Sequence, residues 1–125
     1  MLSAGSEPAV LDAGALQRLR ELDPTGKSRL LARVAQAFQG SVERLMPELG
    51  AAFAGGDLET VRHVAHTLKS SSASIGAIKL SRLCAEIETM VRLETVDGLP
   101  ARVAEMDRET TAVLQALRRI SGAAT

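Results

Sequence analysis

The sequence predicts an all-α protein: an up-and-down antiparallel four-helix bundle with a short additional N-terminal helix. Apolar residues recur three and four positions apart over long stretches, the spacing that lines one side of an α-helix. No segment alternates apolar and polar residues as a half-buried strand does. Breakers separate the periodic stretches at DPTG (23–26), GGD (55–57), Gly76 and ETVDG (94–98), where a bundle needs its turns.

Residues 1–10, MLSAGSEPAV, mix Ser, Gly and Pro without a period and read as a flexible lead-in. The domain itself is expected over 11–121, with 122–125 a flexible tail. Asp12 is placed to cap a short helix carrying Leu16, Leu19 and Leu22. From Lys27 a long core stripe runs through Leu30, Val34, Phe38, Val42, Leu45, Leu49 and Ala52. Pro47 lies inside it, lacks an amide donor and crowds the carbonyl four residues back, so a kink near Glu43 or a short break is expected. Asp57 is a candidate cap for the third stripe, Leu58, Val61, Ala65, Leu68, Ser72 and Ile75, which Gly76 stops. The fourth runs through Leu80, Leu83, Cys84, Ile87, Met90 and Val91. Pro100 sits near the first turn of the last helix, where its missing donor does no harm, and the stripe continues through Leu99, Val103, Met106, Thr110, Val113, Leu117 and Ile120.

The totals narrow the function classes. The 125 residues suffice for one domain, and 46% hydrophobic content suffices for a core. Fifteen Lys and Arg balance fifteen Asp and Glu, which argues against a general nucleic-acid binder. Cys84 is alone, so no intramolecular disulfide forms, and its place on a core stripe makes it a small packed hydrophobe. His63 and His66 are three apart with no third ligand nearby, so no metal site is expected. With no membrane-length apolar run and no signal-peptide pattern at the start, a soluble cytoplasmic setting is expected, without membrane association.

Residues 66–76, HTLKSSSASIG, are the segment that bears on function. Serine is a mediocre helix former, because its hydroxyl competes for backbone groups. Yet the apolar stripe continues through it, and its lysine precedes the serines while its glycine comes last, the reverse of a phosphate-cradling P-loop. The segment is therefore helical. With about 100° per residue, His66 falls roughly 140° from the centre of the stripe, facing solvent. Glu59, Arg62, Ser70 and Ala73 share that outer face, and Lys69 lies between it and the core edge. An exposed imidazole near neutral pH is a competent nucleophile that can take a phosphoryl group on a ring nitrogen. Lys69, one turn on, is within reach of the added charge, and the small residues Ser70 and Ala73 let a partner approach closely. On geometry alone, an ordinary exposed histidine and surface lysine remain an equal alternative.

The stretch AHTLKSSSASIGAIKLSRLCAEIE, residues 65–88, resembles the signature of histidine-containing phosphotransfer (HPt) domains, roughly His-x-x-Lys-Gly-x-x-Gly-x-x-Gly before a Leu-rich helix. Phe38, Pro47 and the GD pair before the histidine helix also resemble the family's preceding segment, and the resemblance covers most of residues 27–120. Ser70 and Ala73 depart from it where glycine is common, but both are small. The resemblance implies a carrier without an ATP-binding site. It implies that His66 accepts a phosphoryl group from a receiver-domain aspartate and passes it to another response regulator, while Lys69 stabilises the phosphoryl oxygens. Receiver domains of response regulators and of a hybrid sensor histidine kinase are the implied partners. They supply an acidic pocket and Mg²⁺, and no cofactor is expected on this chain. Arg62, Ser70 and Ala73 are expected to face the partner. Glu88 and Arg92 are candidates for flanking contacts, against the alternative of a solvated pair one turn apart. A monomer is expected.

Two other readings stay open: the phosphotransfer domain of a chemotaxis-type histidine kinase, which is richer in glycine where this chain has serine, and a non-catalytic helical adaptor. A phosphate on His66 separates the adaptor from the other two, and the donor separates those two from each other.

Overall fold

The computed structural model describes residues 10–121. The expected lead-in at 1–9 and tail at 122–125 lie outside the described residues. Five helices and no strand are present among those described: α1 (Ala13–Glu21), α2 (Leu30–Ala54), α3 (Leu58–Ser74), α4 (Ile78–Arg92) and α5 (Leu99–Ser121).

Three aspartates set the helix starts. Asp12 Oδ2 accepts from the Ala15 amide at 2.9 Å, and Asp57 accepts from the Thr60 amide at 3.2 Å and from the Thr60 hydroxyl at 2.6 Å. Asp23 acts from further away, accepting from the amides of Ser28 at 3.2 Å and Leu30 at 3.1 Å. It ties the DPTG turn to the start of α2. That helix begins at Leu30 rather than Lys27, because Arg29 adopts the left-handed conformation, φ 53°, which no right-handed helix continues through.

Helix α2 runs unbroken through Pro47, so the expected break is absent. Pro47 and Glu43 are both exposed, and water can serve the carbonyl that the proline leaves without an amide partner.

The four long helices pack in a ring, α2 against α3 and α5, and α4 against α3 and α5. Inside it Phe38, Leu49, Val61, Leu68, Leu80, Ile87, Met106 and Val113 are buried. The third stripe is wider than expected: Val64 is as fully buried as Val61 and Ala65, and α3 and α4 form the most extensively packed pair of the bundle. Cys84 is buried, and that burial pushes its thiol up to about 12, out of the reactive range. No described helix is long and apolar enough to cross a membrane.

The short helix α1 packs on α2 and on the turn between α3 and α4. It buries Ala15 and Leu16, with Leu11 just before it, whereas Leu22 is 75% exposed and not part of a core stripe. Leu22 falls at the C-cap, beyond the last turn that touches the bundle. At the docking point the Asp12 amide donates to the Gly76 carbonyl at 2.7 Å. Gly76 has φ +82°, and a methyl group on it would lie 2.9 Å from that of Ala15. Only glycine meets both demands.

Candidate functional site

His66 occupies the outer face of α3, with its side chain 58% exposed. It is not free: Glu88 reaches across from α4 and places Oε2 2.8 Å from Nδ1 of the imidazole. The other oxygen of the same carboxylate, Oε1, accepts from Lys69 Nζ at 2.7 Å. One carboxylate thus joins two α3 side chains that lie one turn apart.

Glu88 itself is almost covered, with 11% of its side chain exposed. The hydrogen bond from Lys69, and secondarily that from His66, holds its carboxyl below the ordinary glutamate range against the opposing effect of burial. Glu88 is therefore ionised at neutral pH, and an ionised carboxylate only accepts. The hydrogen shared with the imidazole must sit on Nδ1. In the neutral ring the lone pair is then on Nε2, at the far side.

Alpha-helical register does the positioning. Ser81 Oγ donates to the Lys69 carbonyl at 2.9 Å, fastening α4 to α3 beside the site. Glu88 lies two turns further along α4 than Ser81, on the same side. Ser70 and Ala73 are exposed on the outer face beyond His66, and Arg82 and Arg92 are exposed on α4.

Arg62 is half-buried one turn before His66, but its guanidinium is bound by Glu59. That pairing, by hydrogen bond and charge, lowers the Glu59 carboxyl and raises the Arg62 guanidinium. Arg62 therefore borders the site already partnered. Glu88 and Arg92, expected as a possible solvated pair at four-residue spacing, do not pair: Arg92 is exposed, while Glu88 turns toward α3 and its two partners there. His63 is exposed.

The serines divide. Ser71 and Ser74 donate back to the carbonyls of Thr67 and Ser70, a pattern that lets serine sit in a helix. Ser72 is fully buried, and its hydroxyl has no partner. Among the described residues no three His, Cys, Asp or Glu side chains gather closely enough to hold a metal ion.

The link from Glu88 to His66 spans 22 positions, so no local rule gives it. One signal was present: Leu80, Cys84 and Glu88 follow one another at four-residue spacing, which sets a carboxylate on a stripe otherwise made for the core.

The Hpt domain family model matches residues 33–120. The structure is similar to that of histidine-containing phosphotransfer protein B (HptB) from Pseudomonas aeruginosa PAO1, with a TM-score of 0.82 at 26% identity over 95% of this chain and 100% of that one. It is also similar to a candidate histidine-containing phosphotransfer protein from rice, with a TM-score of 0.73 over 94% of this chain and 82% of that one; at 22% identity this likeness is one of fold. No curated protein sequence matches the chain. Fold and matches together define a helical phosphoryl carrier rather than a classical enzyme. The chain belongs to the Hpt domain family, and its function is histidine phosphotransfer in phosphorelays, in which such domains interact with receiver domains of two-component systems.

Proposed function

We propose that His66 is the phosphoacceptor and that Nε2 is the atom that takes the group. The observation that carries this is the bond between Glu88 and Nδ1, which occupies one ring nitrogen and turns the other outward on a half-exposed ring. In the reaction the Nε2 lone pair attacks the phosphorus of a receiver's aspartyl phosphate. The P–O bond breaks, and the aspartate leaves as a carboxylate. Reversal hands the group to a second receiver. Charge on the transferring oxygens is met on this side by Lys69 and, when the partner is docked, by the Mg²⁺ expected in the receiver's acidic pocket.

Ser70 and Ala73 fit a partner approaching along α3, and Arg62, Glu88 and Arg92 border that approach. The ring of long helices is read as an up-and-down antiparallel four-helix bundle to which α1 is added. A monomer without its own ATP-binding site suits this role, since donor and acceptor both come from outside.

The test is phosphotransfer from a phosphorylated receiver domain, with His66→Gln as control. Acid-labile, alkali-stable label on the wild type and none on His66→Gln is the expected result. Label that persists in His66→Gln would sink the assignment. Label obtained only from a histidine kinase core with ATP would move the protein to the chemotaxis-type role.

A further inference from the structure

Opposite charges balance over the chain but not along the bundle. Residues 18–33 and 118–121 hold seven Lys and Arg side chains against two carboxylates, Glu21 and Asp23. The fold brings both stretches to one end, where the last turn of α1, the turn after it, the first turn of α2 and the last turn of α5 meet. Arg18, Arg20, Lys27, Arg29 and Arg33 are exposed there, as are Arg118 and Arg119. None of these seven has an ion-pair partner among the described residues. Asp23 is engaged by the amides of Ser28 and Leu30, and Glu21 by the side-chain amide of Gln17. Crowded like charges repel, and an anion brought from outside relieves them.

Among these cations lies a cleft of about 230 Å³. Leu19, Leu30, Leu31 and Ile120 line it, each half-buried, and Arg20 and Arg29 stand on its wall. Small-molecule sites usually enclose about 300–1,000 Å³, so this cleft suits one or two side chains better than a cofactor. Helices α3 and α4, which carry His66, Lys69 and Glu88, contribute nothing to its lining. A partner can therefore use this end while the His66 face stays open.

We propose that this end of the bundle docks an acidic segment of a partner protein, with an apolar side chain in the cleft and flanking carboxylates on the arginines. Charge complementarity carries the choice: six of the seven cations are arginines, whose planar fork matches a carboxylate. A bilayer surface takes protruding apolar side chains, and here Leu22 alone protrudes while the leucines of the cleft are recessed. Single-stranded nucleic acid stacks its bases on aromatic rings, but Phe38 is buried and Phe53 lies at the other end of α2. Where the acidic segment belongs to a protein that also carries a receiver domain, docking holds that receiver near His66 at a raised effective concentration.

The experiment titrates the full chain into a fluorescein-labelled peptide of repeated Glu-Glu-Leu, read by anisotropy, and maps the contact by ¹⁵N–¹H shifts. Binding is expected at low salt, with shifts at the α1–α2 turn and the end of α5, and it should weaken about tenfold as salt rises from about 20 to about 200 mM. Arg20→Glu combined with Arg29→Asn should weaken it by about tenfold as well. Asparagine tolerates the left-handed backbone at position 29, and an unchanged unfolding midpoint shows that the double variant is folded. His66→Gln should bind the peptide as wild type does, so this test stands or falls apart from the acceptor assignment. No binding of the Glu-Glu-Leu peptide, or equal binding of a Glu-Glu-Ser peptide, would overturn the proposal. Shifts on the outer face of α3, or loss of binding in His66→Gln, would also overturn it, because the peptide would then sit on the His66 face. Vesicles of phosphatidylglycerol and phosphatidylcholine that bind the protein and displace the peptide would overturn it in favour of a membrane surface.

Discussion

Helix α3 is built for two opposite purposes, and its middle and its C-terminal end show them side by side. Around His66 the outer face is open: Ser70 and Ala73 are small and exposed. On the inner face and just past the helix end, Ser72, Ile75 and Gly76 are buried, and α1 lies against the turn. Small residues occur in both places. In the first they leave open surface, which the proposed function uses for a docking receiver, and in the second they make room for a part of the same chain. A sequence pattern of Ser, Ala and Gly does not distinguish these cases; burial does.

The sharpest way to break the comparison is to enlarge one small residue in each region. Gly76→Val meets the docked α1 helix and a φ that β-branched residues avoid, so a loss of about 3 kcal/mol or more in urea unfolding is expected. An unchanged midpoint would mean that α1 is not held where the structure places it. Ala73→Arg, on the open face, should leave the unfolding midpoint within about 0.5 kcal/mol of wild type. It should still slow phosphoryl acceptance from a receiver by about a hundredfold, because misplacing the reacting groups by an ångström can do that much. Transfer at the native rate would remove the argument for close approach.

Much of this was legible beforehand, and the reasons are physical. The stripes on α2, α4 and α5 could be read because each helix buries one face in a regular register. The outward direction of His66 followed from the same geometry. Val64 was not legible, since a stripe gives the centre of the buried arc and not its width, which depends on how extensively the neighbouring helices pack on α3. The start of α2 was misplaced because Asp23 controls it from seven residues away. Glu88 was seen only as a flanking candidate. Its bond to His66 exists because two helices pack at one particular register, and one sequence without its partner helix does not state that register.

A smaller effect concerns acid. The Glu88 carboxyl is held below the ordinary glutamate range, chiefly by the hydrogen bond from Lys69. The sign follows from linkage: a carboxyl that is a stronger acid when folded adds stability above its unfolded value, and that addition is lost as pH falls through the folded value. Wild type should therefore exceed Glu88→Gln by about 1 kcal/mol near neutrality, after allowance for partial exposure of Lys69, and the two should converge below the ordinary glutamate range. A gap that stayed constant down to low pH would show that packing, and not charge, separates them.

The smallest expected change is also the one that most directly separates the two uses of serine on α3. Ser72→Ala removes a hydroxyl that is fully buried and has no partner. An unmade hydrogen bond in such a place costs about 1–3 kcal/mol, and the methyl left behind fills nearly the same space. The variant should be more stable by up to about 1 kcal/mol, whereas Ser70→Ala on the exposed face should change little. Thermal unfolding of both variants measures the difference. A gain confined to Ser72→Ala would show that position 72 is serine for its size, with no use made of its oxygen. A loss there would mean that the hydroxyl finds a bond in solution, and the inner end of the serine cluster would then be polar by need, as the outer face is.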